Sequence, residues 1–177
     1  MSTDDRARPA ARLTVLTGPS GSGRESVVES VRARSPSVWV PVPATTRPRR
    51  PHEVDGVDRL FLTPAEFDRR LAAGELLEWS RFGPHRRGTP YEPLRAWLDA
   101  GRSVLLPLDP RGALLVRSAL PNVRLVLLHL PGTAPDPALH AVAELTVAHD
   151  LTERVVDELV GLFGSSFLAP ARPRVRG

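Results

Sequence analysis

Two rhythms of apolar residues alternate along this chain. Leu13 to Thr17 is a short unbroken apolar run ending at Gly18, which predicts a buried strand. From Gly23 onward Val27, Val28 and Val31 fall on one helical face, with Arg24, Glu25 and Glu29 off it. Ser37 to Ala44 alternates like a strand, but its two prolines place it at an edge or bend. Thr63-Pro64-Ala65-Glu66 predicts a helix opened by a capping box and stopped at Gly74. A second such helix is expected over 91–100, before Gly101. Val104 to Asp109, Val123 to Leu130 and Leu145 to Ala148 read as further strands. A last helix is predicted from near Asp150, with Glu153 completing another capping box, to about Gly164. Strands alternating with helices imply an α/β domain with a largely parallel sheet. The tails 1–11 and 169–177 are expected to be disordered, leaving one domain over 12–168.

Composition narrows the chemistry. The 177 residues contain no cysteine, which excludes disulfides, thiolate metal sites and a cysteine nucleophile. No apolar run approaches the ~18 residues a membrane span needs, and no secretory leader opens the chain, so a cytoplasmic setting is expected. All 24 basic side chains are arginine, yet the net charge is only +4, which gives no case for specific nucleic-acid binding. The five histidines show no metal-ligand grouping, and no metal site is expected.

The most informative stretch reads LTVLTGPSGSGRESVV over 13–28. A strand, then Gly18-Pro19-Ser20-Gly21-Ser22-Gly23, then a helix is the frame of a phosphate-binding loop. Its backbone N–H groups curl around phosphate oxygens and the helix start adds positive potential. The chemical positions depart from that frame. Arg24 stands where lysine is expected and Glu25 where a Mg²⁺-holding hydroxyl is expected, with Ser26 one position later. Arginine is bulkier and planar, so the exchange is not conservative.

Together with ATTRPRRPHEVDGVDRLF at 44–61, GELLEWSRF at 74–82 and RRGTP at 86–90, the loop resembles the guanylate kinase family. The resemblance implies a P-loop nucleoside monophosphate kinase-like α/β fold, a mostly parallel sheet flanked by helices. It also implies an inserted GMP-binding subdomain near 43–91 and a lid. It places Arg47 and Arg50 on the GMP phosphate, Arg59 and Arg87 where the family has tyrosines, and Glu53 beside them. Guanine falls to Glu78, Thr89 after Gly88, and Asp109. Arg24 is the candidate catalytic residue. The donor side departs further: PGTAPDPALHAVA at 131–143 is too short for the family's lid and its helix and holds no arginine. The expectation is therefore a guanine-nucleotide-binding or regulatory module, taking GMP or a more phosphorylated guanosine, with phosphotransfer weak or lost. Its alternatives are an active ATP:GMP phosphotransferase using ATP and Mg²⁺, a kinase for another phosphorylated acceptor, and a module docking a phosphopeptide on a protein partner.

Overall fold

Among the described residues, eight strands form two sheets and six helices flank or follow them. The structure, a computed structural model, describes residues 13–164; the tails expected at 1–11 and 169–177 lie outside them. In chain order the elements are β1 (Leu13–Thr17), α1 (Arg24–Arg34), β2 (Ala44–Thr45), β3 (Leu60–Phe61), α2 (Pro64–Ala72), β4 (Leu76–Phe82) and β5 (His85–Pro90). Then follow α3 (Tyr91–Asp99), β6 (Val104–Pro107), α4 (Pro110–Ala119), β7 (Arg124–His129), α5 (Pro137–Val142), β8 (Leu145–Ala148) and α6 (Thr152–Gly164).

The large sheet has the order β6-β1-β7-β8, every pair parallel. Its strands are apolar on both faces because helices cover both. Leu16, Leu105, Val126 and Leu128 face one cluster with Val27, Val28 and Val31 of α1 and Val155, Val156 and Leu159 of α6. Their neighbours Leu13, Val15, Leu106, Leu125 and Leu127 face the other, with Leu94 of α3, Ala113 and Val116 of α4 and Leu139 of α5. One residue's step along each strand switches the layer, as the two-residue period requires.

The small sheet, β3-β2-β5-β4, is drawn from residues 44–90. Phe67 of α2 is fully buried and meets Trp79 edge-on at 6.3 Å. The capping box at Thr63 forms: its hydroxyl accepts from the Glu66 N–H while the Glu66 carboxylate accepts from the Thr63 N–H.

Two local expectations need correction. The segment 37–44 forms no strand of its own; Trp39 makes a single bridge to Val104, and Ala44 opens β2. Nor does Asp150 cap α6. The helix begins at Thr152, and the Asp150 carboxylate accepts from the adjacent Leu151 N–H and pairs with Arg154 at 3.0 Å.

Candidate functional site

The site lies at the carboxyl ends of β1 and β6, where parallel α/β sheets open their ligand crevices. After β1 the chain turns through 18–23 and enters α1 at Arg24. Gly23 has φ +79, and a Cβ there would overlap the His149 ring, so only glycine fits. His149, in the turn after β8, meets the Ser22 carbonyl through Nδ1 and the Thr152 hydroxyl through Nε2. The loop's end is thereby pinned to the far edge of the sheet. Sequence reasoning missed His149 because nothing local marks a contact 127 residues away.

Ser20 to Ser26 line a cavity of about 650 Å³ with Thr45, Arg47, Arg50, Arg59, Phe82, Arg86 and Arg87. Pro19 lies apart, in a small recess beside His129. Arg24 does not reach back over the loop: its guanidinium donates to the Leu108 carbonyl beyond β6. Burial and the neighbouring Arg87 lower its pKa, against the pull of Asp109 and Glu25.

Glu53 organises the phosphate end. Its carboxylate accepts both nitrogens of Arg47, at 2.7 and 3.0 Å, and the backbone N–H of Arg50 at 2.8 Å. Arg59 approaches it at 3.8 Å. The Arg47 fork holds the Glu53 carboxyl down at about 2. Arg49 instead donates to the Glu53 carbonyl, a structural tie. Strand alternation separates the next pair. Arg86 turns to α2, where it pairs with Asp68, donates to the Pro64 carbonyl and lies 4.7 Å from the Phe67 ring centre. Arg87, one residue on, faces the cavity, and its guanidinium makes no hydrogen bond or ion pair among the described residues.

At the other end Glu78 and Thr89 stand opposite each other on β4 and β5. The Thr89 hydroxyl donates to Glu78 Oε1 at 2.7 Å. Burial pushes the Glu78 carboxyl up, partly offset by Thr89 and Arg87. Gly88 precedes Thr89 and is buried against Trp79. Asp109 is the N-cap of α4, with Oδ1 accepting from the Gly112 N–H at 2.8 Å. A Cβ on Gly112 would come within 3.2 Å of Glu78 Oε2, so this glycine lets the start of α4 close on the carboxylate. Thr89, the partner of Glu78, lines a second cavity of about 400 Å³ with Arg87, Arg59, Arg24 and Pro107. The structure thus brings together acceptors at one end, arginines in the middle and the loop beyond.

A family model described as guanylate kinase matches residues 10–136. The guanylate kinase of Thermobifida fusca (strain YX) is 52% identical over 120 residues, 68% of this chain and 61% of the relative. The chain belongs to the guanylate kinase family. The guanylate kinase of Nocardia farcinica (strain IFM 10152) is 48% identical over 147 residues, 82% of this chain and 74% of the relative. The match spans less than two thirds of the Thermobifida protein's length. Among solved structures, guanylate kinase from Anaplasma phagocytophilum shares the fold, with a TM-score of 0.69 over 88% of this chain and 86% of its own, at 22% identity. The P-loop nucleoside monophosphate kinase-like fold is therefore that of the family.

Within that family frame the loop's donor set is unusual. Backbone N–H groups and the start of α1 suit a phosphate chain, but the two positions that ordinarily supply a cation and a Mg²⁺ hydroxyl hold Arg24, tied to Leu108, and the carboxylate of Glu25. These residues do not fit the usual hold on ATP and Mg²⁺. Among the described residues no cluster of three metal-ligating side chains occurs, and no helix is long and apolar enough to cross a membrane.

Proposed function

We propose that this chain is a guanine-nucleotide-binding member of the guanylate kinase family whose phosphotransfer is weak or lost. The observation that carries the first half is the Glu78–Thr89 pair, a buried carboxylate whose free acceptor sites suit the ring and amino N–H groups of guanine. Residues 43–91 act as the nucleotide-binding subdomain, with Arg47 and Arg50 on the phosphate and Glu53 holding Arg47 in place. Guanidinium forks match phosphate oxygens bidentately, so a preset Arg47 loses little freedom on binding. The absence of cysteine suits the cytoplasmic setting of a nucleotide binder.

The second half rests on the loop and on the connection from β7 to β8. Arg24 is spent on a backbone carbonyl, Glu25 offers a negative charge to the phosphates, and the six-residue α5 is all the helix in an arginine-free connection. Arginines that neutralise a transferring phosphoryl group are worth ~10³–10⁵ in rate. The second reading is an active guanylate kinase, favoured by about 50% identity to proteins of that name. Calorimetry with GMP and AMP tests the pocket. GMP is expected to bind at least tenfold tighter; equal affinities would leave Glu78 and Thr89 a purely structural pair.

A further inference from the structure

The loop cavity carries more positive charge than a nucleoside monophosphate neutralises. Among the described residues six arginines line it, against one lining carboxylate, Glu25. Arg86 is paired with Asp68, and Arg47 and Arg59 share the single carboxylate of Glu53, so with Glu25 three carboxylates face six guanidinium groups. A 5′-monophosphate brings a charge of about −2 at most. Arg24, Glu25, Arg59 and Arg87 line both this cavity and the one at Thr89, so the two spaces adjoin across these side chains. At 400 and 650 Å³ each falls in the range of a small-molecule pocket.

We propose that one guanosine 5′-polyphosphate, rather than a GMP and a separate donor, fills this joined space. This rests on the guanine reading above. The base would sit at Glu78 and Thr89, and the phosphate chain would cross Arg87 and Arg59 and end on the backbone N–H groups of 20–26. Crowding among the arginines supports it. Burial first, then Arg87 and Arg47, lower the Arg59 pKa against the pull of Glu53, and burial and Arg87 lower that of Arg24 against the pull of Asp109. A longer anion relieves this repulsion along its length, whereas a monophosphate reaches only part of it. Glu25 already offsets Arg24 and Arg59, and so acts as an internal competitor for the terminal phosphates.

The test is calorimetry of GMP, GDP, GTP and ATP in EDTA at two salt concentrations. GTP is expected to bind at least tenfold tighter than GMP, with GDP between them, and to weaken more steeply with salt. Arg59→Gln, half-buried and checked by its melting curve, should cut the GTP:GMP ratio to threefold or less. Glu25→Gln, on the exposed first turn of α1, should tighten GTP at least threefold. If GTP binds no tighter than GMP while GMP still beats AMP, the guanine pocket stands and this inference is overturned. If ATP equals GTP, the guanine reading itself falls. Unchanged GTP affinity in Glu25→Gln would put the phosphate chain outside the loop and likewise overturn the inference.

Discussion

Replacing Glu78 with glutamine changes one oxygen for an NH₂ in a nearly isosteric side chain. Oε1 already takes the Thr89 hydroxyl at 2.7 Å, and Oε2 lies against the start of α4. The glutamine carbonyl can keep the Thr89 bond, so the amide must replace an acceptor that guanine needs. The loss is one charge-assisted hydrogen bond, about 1.5–3 kcal/mol. At about 1.4 kcal/mol per decade this is roughly a 12- to 140-fold weaker GMP complex. AMP, with no N1–H to donate, is expected to bind as before or slightly better. Stability should move the other way. Burial raises the folded-state pKa of Glu78 above the ordinary 4.5, so the folded protein holds this proton where the unfolded chain has lost it. That contribution stabilises at low pH and is lost as pH rises through the folded value; at neutral pH the buried charge is a cost. The unliganded glutamine variant should therefore melt no lower than the parent at pH 7, and GMP affinity of the parent should begin to fall above the ordinary carboxylate range on acidification. Calorimetry with both nucleotides, beside melting curves, is the assay. An unchanged GMP:AMP ratio in a folded variant refutes the reasoning.

Glu53 behaves oppositely on acidification: with its carboxyl held at about 2, its stabilising fork to Arg47 is complete above 4.5 and lost between 4.5 and about 2. A carboxyl-carbon NMR titration showing a midpoint near 4.5 would contradict that. Gly23→Ala forces a side chain into a left-handed position and onto the His149 ring, so it should destabilise by about 1–3 kcal/mol in denaturant titration. Adding His149→Ala should recover part of that loss, and strict additivity of the two changes would deny the contact.

The large sheet was legible because its strands are unbroken apolar runs between glycines and helical stripes, and both signals are local. The loop was legible from its glycine spacing between a strand and a helix, whereas Glu78, Thr89 and the arginines were legible only as a resemblance, since their meeting depends on two sheets folding together. Gly112 and His149 left no trace: each matters through a neighbour distant in sequence, Glu78 and Ser22. The cap expected at Asp150 failed for a local reason. Its carboxylate has a nearer N–H donor in Leu151 and an ion-pair partner in Arg154, and α6 opens two residues later. Arg24 is the most instructive position. Its place beside the second loop glycine suggests a phosphate ligand, but a long planar side chain finds the Leu108 carbonyl first.

The central claim is a kept guanine pocket joined to disabled phosphotransfer, and ADP release in the presence of ATP, GMP and Mg²⁺, all saturating, tests it most directly. The account predicts a turnover at least about a thousandfold below the ~1–100 s⁻¹ of a typical kinase. A turnover within tenfold of that range would contradict it and identify the chain as a working guanylate kinase.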